Sequence, residues 1–169
     1  PLYKTIQPNS QTTVKIWKIT ESYDELIKPL DLKPNSLERV LGMKSELHQR
    51  GFLSVRHLLR EFGYTDQDLY YDENGKPHLK DDKYISITHS FTFSGVIISS
   101  SEIGIDIEKQ RDKIAIIAKK FVDYEHFLVI PFMLEDGETI AWIDYKGKKY
   151  RYNTHFLEFE GFSCAFVTT

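Results

Sequence analysis

The stretch EIGIDIE, residues 102–108, decides how the rest of this chain is interpreted. Its residues alternate strictly, so that three isoleucines fall on one face of a strand while Gly104, Asp106 and Glu108 fall on the other. The Cβ atoms of the two carboxylates are then roughly 6.5–7 Å apart, a distance that one hard cation can bridge. Without a cation, the two like charges repel each other. An isolated pattern of this kind is typical of an edge strand with a hydrated acidic face, so its meaning depends on its neighbours.

The composition places the chain among ordinary globular proteins. Its 169 residues are 41% hydrophobic and 28% charged, which suits one domain or two small halves that share a core. The net charge of −3 gives no global attraction to nucleic acid or to an anionic membrane. The single cysteine, Cys164, excludes an internal disulfide and is expected to be a small buried side chain. With no apolar run near the ~20 residues of a membrane span and no signal peptide, we expect a cytoplasmic monomer.

Helices are predicted mainly in the first half of the chain. Ser22 is the expected N-cap of a short helix, and Pro34 opens a second one. The longest helix is predicted over residues 45–62, where apolar residues recur at helical spacing and Gly63 follows as a stop. Arg56 is expected on a solvated flank of this helix.

Strands account for most of the remaining chain. Apolar or alternating runs between turn residues predict strands over residues 14–20, 69–79, 84–88, 93–99 and 102–108, the second of them broken by an Asn-Gly turn. One further helix is predicted over residues 112–121, and everything from residue 128 onward is predicted as β-hairpins with turns at residues 136–137, 146–147 and 160–161. This order predicts an α+β fold with antiparallel sheets.

Three separated motifs then follow one another in a fixed order. They are G-K-P at residues 75–77, T-H-S at residues 88–90 and G-I-D-I-E at residues 104–108, the last followed by the predicted helix and by F-V-D-Y-E. Their order and spacing resemble the 4′-phosphopantetheinyl transferases, particularly the surfactin-synthetase type with two similar halves in one chain. The resemblance covers residues 50–125 well and the flanks in layout only. It implies two similar α+β halves packed as a pseudo-dimer, expected here at residues 1–97 and 98–169.

The resemblance also implies an activity. Enzymes of this family transfer the 4′-phosphopantetheine arm of coenzyme A to a serine of an acyl or peptidyl carrier protein and release 3′,5′-ADP. The positions of Asp106 and Glu108 match the catalytic carboxylates that hold Mg²⁺ against the pyrophosphate. Carboxylate and phosphate oxygens, with water, are the ligands that Mg²⁺ prefers.

The remaining site residues concern the two substrates. Lys76 and His89 match family residues that touch the nucleotide end of coenzyme A, and Arg50 is placed to meet its 3′-phosphate through charge-assisted hydrogen bonds. Thr88 stands where the family usually has serine, and it keeps the hydroxyl group. Taken singly, a turn lysine or a strand-end histidine is more often structural, so the combination carries the prediction. An acidic carrier protein is expected to dock near the basic residues 109–120, less tightly as salt rises.

One departure from the family is serious. Its W-x-x-K-E motif, which supplies a glutamate to the metal or to the carrier serine and a lysine to the phosphates, does not occur here. Instead, Phe127 runs directly into the apolar stretch that begins at Leu128, without turn residues. Either a natural deletion has left a non-catalytic relative that binds coenzyme A or a carrier, or a segment is missing from this sequence. We favour the second and expect a wide gap in space between these two residues. A β-rich structural protein with a coincidental acidic strand is the weakest alternative.

Overall fold

The chain folds into three helices, a 3₁₀ turn and eleven strands within the residues that the structure describes. This computed structural model describes residues 1–110, 129–135, 138–145 and 147–169. The helix predicted over residues 112–121, the junction of Phe127 with Leu128 and the turn at residues 136–137 therefore lie outside the described residues. In chain order the elements are β1 (Leu2–Asn9), β2 (Thr12–Lys18), α1 (Tyr23–Ile27), α2 (Pro34–Leu41), α3 (Glu46–Glu61), a 3₁₀ turn (Asp66–Asp68), β3 (Leu69–Tyr71), β4 (Pro77–Leu79), β5 (Tyr84–Ser90), β6 (Phe93–Ser99), β7 (Ile103–Lys109), β8 (Val129–Glu135), β9 (Glu138–Tyr145), β10 (Lys148–Phe159) and β11 (Phe162–Thr168).

The strands form two main antiparallel sheets. The first has the order β1-β2-β6-β5, and the second has the order β7-β11-β10-β9-β8, while β3 and β4 pair as a small separate ribbon. The structure thus combines helices with antiparallel sheets, which is compatible with the predicted α+β class. Among the described residues, no helix combines the length and the apolar character needed to cross a bilayer.

The first sheet is the middle layer of three. On one face, Val96 and Ile98 of β6 join a buried cluster with residues of α3 such as Leu58. On the other face, Phe93 and Ile97 of the same strand pack against the second sheet. Because both faces are covered, all seven residues of β6 are buried. This explains why the strand is apolar without the alternation that a half-exposed strand shows.

Local signals placed the helix ends and the tight turns correctly. The Ser22 hydroxyl accepts the backbone N–H of Glu25 at 3.3 Å and the Glu25 carboxylate accepts the N–H of Ser22 at 2.8 Å, which forms a capping box at the start of α1. After α3, Gly63 takes the left-handed conformation with φ +85°. The β10–β11 hairpin turns through Glu160 and Gly161 at φ +48° and +79°, as a primed turn requires.

Two features of the fold differ from the predictions. Strand β1 was not predicted, because most of its residues are exposed and it therefore lacks an apolar alternation.

The prediction that Arg56 lies on a solvated flank was wrong. Its side chain is 2% exposed, and its Nε donates to Asp66 Oδ1 at 3.1 Å. The guanidinium also lies 3.6 Å from the centroid of the Phe52 ring. Helical periodicity cannot reveal such a site, since the partner carboxylate follows in the next loop.

Candidate functional site

The T-H-S and D-I-E motifs lie on adjacent strands that belong to different sheets. The Ser86 hydroxyl on β5 accepts the backbone N–H of Ile105 on β7 at 3.3 Å, and the Thr88 hydroxyl accepts that of Ile107 at 3.1 Å. These two contacts run in the same direction along both strands, so β5 and β7 are parallel neighbours. We call this junction the hydroxyl seam.

The seam brings Asp106 to Thr88. The Thr88 hydroxyl donates to Oδ1 of Asp106 at 3.2 Å, and the carboxylate itself is exposed. Glu108, two residues along the same face of β7, is also exposed, whereas Ile107 between them is fully buried. The predicted alternation is therefore present in the structure, with the two carboxylates on the outer face and the isoleucine in the core.

Small side chains on β11 surround the two carboxylates. Ala165 pairs with Asp106 and Ser163 pairs with Glu108 in the β7–β11 ladder. Directly opposed residues on one face of a sheet have neighbouring side chains, so the β11 side chains beside the two carboxylates are small ones. Sequence reasoning missed both residues, because the register between strands that lie more than fifty residues apart is not visible in either strand alone.

The carboxylate pair has the chemistry of a magnesium site that needs further ligands. Among the described residues, no group of three His, Cys, Asp or Glu side chains could hold a metal ion. Mg²⁺ is commonly held by one or two carboxylates together with substrate phosphates and water. Asp106 and Glu108 offer hard oxygens on an open face, and they fit that kind of shared shell.

Lys76 lines a cleft in the described part of the chain. This cleft has a volume of about 530 Å³ and lies between the β4–β5 region and the second sheet. Its lining includes Tyr84 at the start of β5 as well as Glu102 and Ile103 at the start of β7. The cleft therefore lies at the start of the two strands that further along carry Thr88 and Asp106, and neither of these residues lines it.

The turn that presents Lys76 is closed by Asp72. The Asp72 carboxylate accepts the backbone N–H of Lys76 at 2.9 Å and contacts the His78 imidazole at 3.0 Å. The hydrogen bond from His78, followed by that from Lys76, holds the pKa of Asp72 below its ordinary value. An ionised Asp72 thus fixes the loop while the exposed side chain of Lys76 stays on the cleft.

His89 lines a second, smaller cavity of about 210 Å³ with Leu47, His48, Gly51, Ser90 and Phe91. Its ring is stacked with that of His48, with centroids 6.3 Å apart. At the mouth, Phe91 has φ +51°, which is uncommon for a bulky residue, and the ammonium of Lys109 lies 5.0 Å from the centroid of its ring. The structure therefore places Lys76 and His89 on different cavities.

Arg50 lies away from both of these cavities. It lies on α3, and its Nε donates to the backbone carbonyl of Glu21 at 2.7 Å. It lines neither the Lys76 cleft nor the His89 cavity. Of the six predicted site residues, Thr88 and Asp106 are in direct contact, and Glu108 lies on the same face of β7 as Asp106. Arg50, Lys76 and His89 lie at three separate places, and the structure does not bring them together with this pair.

No protein-family model and no curated protein matches this chain.

Proposed function

We propose that this protein transfers the 4′-phosphopantetheine group of coenzyme A to a serine of an acyl or peptidyl carrier protein, in a reaction that depends on Mg²⁺. The observation that carries the proposal is the hydrogen bond between Thr88 and Asp106. It joins two of the three motifs at one place, and the third motif, with Lys76, lines the cleft at the start of the same pair of strands.

We propose the corresponding fold as well, with two similar α+β halves near residues 1–97 and 98–169. The first main sheet is formed from residues 2–99 and the second from residues 103–168, which supports a division close to that boundary. The hydroxyl seam would then be the junction between the halves.

The proposed reaction is a displacement at phosphorus. The carrier serine oxygen forms a bond to the phosphorus that bears pantetheine, the bond from that phosphorus to the bridging oxygen breaks, and 3′,5′-ADP leaves as the serine proton is lost. A bound Mg²⁺ would neutralise charge on the phosphates and orient the leaving group. Asp106 and Glu108 would hold it. Lys76 and His89 would contact the nucleotide portion from the two ends of the site, where a cation or an imidazole can donate to phosphate oxygens.

The carrier is proposed to bind at the edge where β7 ends. Lys109 is exposed there beside Phe91, and the other basic residues of the predicted docking stretch begin at residue 111, outside the described residues. A cationic surface of this kind would attract an acidic carrier helix, and salt would screen the attraction.

The test is mass spectrometry of an apo acyl carrier protein and an apo peptidyl carrier protein after incubation with coenzyme A, Mg²⁺ and this protein. We expect one phosphopantetheine group to be added and 3′,5′-ADP to appear in equal amount. A carrier whose acceptor serine is replaced by alanine is the matched control. An unmodified carrier in the presence of tightly bound coenzyme A would overturn the proposal and favour the second candidate.

That second candidate is a non-catalytic protein that binds coenzyme A or a carrier. The observation in its favour is that the sequence contains no W-x-x-K-E motif. Binding without transfer, measured by calorimetry with coenzyme A and with the apo carrier separately, would identify it.

A further inference from the structure

The Thr88 hydroxyl group makes two hydrogen bonds, one as an acceptor and one as a donor. Its oxygen accepts the N–H of Ile107 at 3.1 Å, and its proton is donated to Asp106 Oδ1 at 3.2 Å. The residue is 8% exposed, so water has little access to its hydroxyl group. Since a hydroxyl has a single proton, the contact with the backbone N–H leaves that proton for the carboxylate.

The direction of the hydroxyl is fixed by packing. The Thr88 methyl group, Cγ2, lies above Gly95 on β6, where an added Cβ atom would be only 3.1 Å away. β-Branched side chains have few accessible χ1 rotamers, and a methyl group held in this way leaves the hydroxyl one orientation. A serine at this position would keep the hydroxyl but lose the methyl group that locks it.

We propose that Thr88 acts as a positioning residue for Asp106 rather than as a direct contact of coenzyme A. Its hydroxyl group holds Oδ1 and so orients the carboxylate that, together with Glu108, would hold a divalent cation. Partners that orient a metal ligand in this way typically change metal affinity by about 10–100-fold when they are removed. This inference rests on the proposed function, because it assumes that the carboxylate pair holds the cation.

The experiment compares Mn²⁺ binding by four proteins, with coenzyme A present and absent. Mn²⁺ favours the same oxygen-rich octahedral shell as Mg²⁺, and its free concentration is measured by electron paramagnetic resonance. Thr88→Val removes the hydroxyl and keeps the shape, whereas Thr88→Ser keeps the hydroxyl. Ser86→Ala is the matched control, because it removes the other hydroxyl of the seam without touching Asp106.

We expect Thr88→Val to raise the Mn²⁺ dissociation constant about tenfold. Thr88→Ser should restore binding to within about threefold, and Ser86→Ala should leave it within about twofold. Melting temperatures are measured in parallel, and Thr88→Ala replaces Thr88→Val if the latter does not fold.

The possible results distinguish a failure of the positioning role of Thr88 from a failure of the proposed function. Unchanged Mn²⁺ affinity in Thr88→Val, or an equal loss in Ser86→Ala, would overturn the positioning role while the proposed function stands. A wild-type protein that binds no Mn²⁺ with coenzyme A present would overturn both.

Discussion

The imidazole of His89 lies directly against Gly51 of α3: a Cβ atom at residue 51 would be 3.2 Å from Cδ2 of His89. A glycine in the middle of a helix costs roughly 0.5–1 kcal/mol relative to alanine, so this position gives up helix stability. What it gains is room for an aromatic ring at the end of β5. Helix α3 therefore helps to set the direction in which His89 faces its cavity.

Gly51→Ala should displace the His89 ring with little effect on the fold. We expect the free energy of unfolding to change by less than about 1 kcal/mol, because the gain in helix propensity offsets the tighter contact. The dissociation constant for coenzyme A should rise severalfold in calorimetry. In a His89→Ala background the same change should have no further effect on binding, and an additive loss would show that the two residues act separately.

Gly95→Ala should destabilise the packing of the two sheets. An added Cβ atom would be 2.9 Å from Cδ1 of Ile107 and 3.1 Å from that of Ile105. Overpacking of this kind typically costs about 1–3 kcal/mol, which urea unfolding measures directly. Gly104→Ala is the control, because its Cβ atom would meet Val167 at an ordinary 3.4 Å. Equal stability of the two variants would show that the sheets separate easily at this point.

Arg56→Leu should be severely destabilising. It would leave Asp66, which is 2% exposed, buried without its guanidinium and bonded only to the Lys33 N–H and the Ser36 hydroxyl, both at 3.0 Å. Breaking a buried ion pair from one side costs about 3–5 kcal/mol, measured by urea unfolding. The control is Arg60→Leu, since Arg60 is exposed and should contribute less than about 0.5 kcal/mol. A similar loss in both variants would assign the effect to the helix rather than to the pair.

Cys164 should make stability depend on pH above neutrality. Burial, with a smaller contribution from the Asp106 carboxylate, raises the pKa of its thiol from 9.0 to about 12. Between these values the unfolded chain loses the thiol proton and the native chain keeps it. Deprotonation therefore stabilises the unfolded state, and the free energy of unfolding falls as pH rises. The slope contributed by this group is at most about 1.4 kcal/mol per pH unit.

Unfolding by urea at several pH values measures that slope, and Cys164→Ala should remove this contribution. Below pH 9 the native thiol should also resist iodoacetamide until urea unfolds the protein. Rapid alkylation of the folded protein at pH 8 would show that the side chain is accessible, contrary to its 1% exposure.

Asp106→Asn should reduce transfer to the carrier at least about 100-fold, because it removes the charge of a ligand rather than an outer partner of one. Glu108→Gln should mainly raise the Mg²⁺ concentration needed for half-maximal rate. Both variants should keep the wild-type melting temperature, since both side chains are exposed. Glu61→Gln, an exposed change at the end of α3, is the control for charge alone. Full activity of Asp106→Asn at low Mg²⁺ would remove this residue from the mechanism.

Local chemistry explains which parts of the fold were predictable. The Ser22 cap, the Gly63 stop and the turn at residues 160–161 depend on a few adjacent residues, and the structure has each of them as predicted. The alternation in β7 likewise gave the outward carboxylates and the buried Ile107. These signals are contained within one element.

The remaining features depend on partners that are distant in sequence. The burial of Arg56 requires Asp66, and the small side chain beside Asp106 is that of Ala165 from the last strand. The cavity at His89 requires a glycine on α3. None of these pairs shares a periodicity that a single sequence displays, so the surroundings of the predicted site residues were not predictable even where the residues themselves were singled out.

The hydroxyl seam makes the junction of the two sheets depend on particular side chains. A backbone ladder between strands accepts almost any pair of sequences, because the main chain supplies the hydrogen bonds. Here two side chains, Ser86 and Thr88, receive the N–H groups of the facing strand. A chimera that exchanged one sheet for that of another protein would therefore lose these two hydrogen bonds unless the new sheet placed hydroxyl groups at the same positions, so the junction restricts which sheets can be combined.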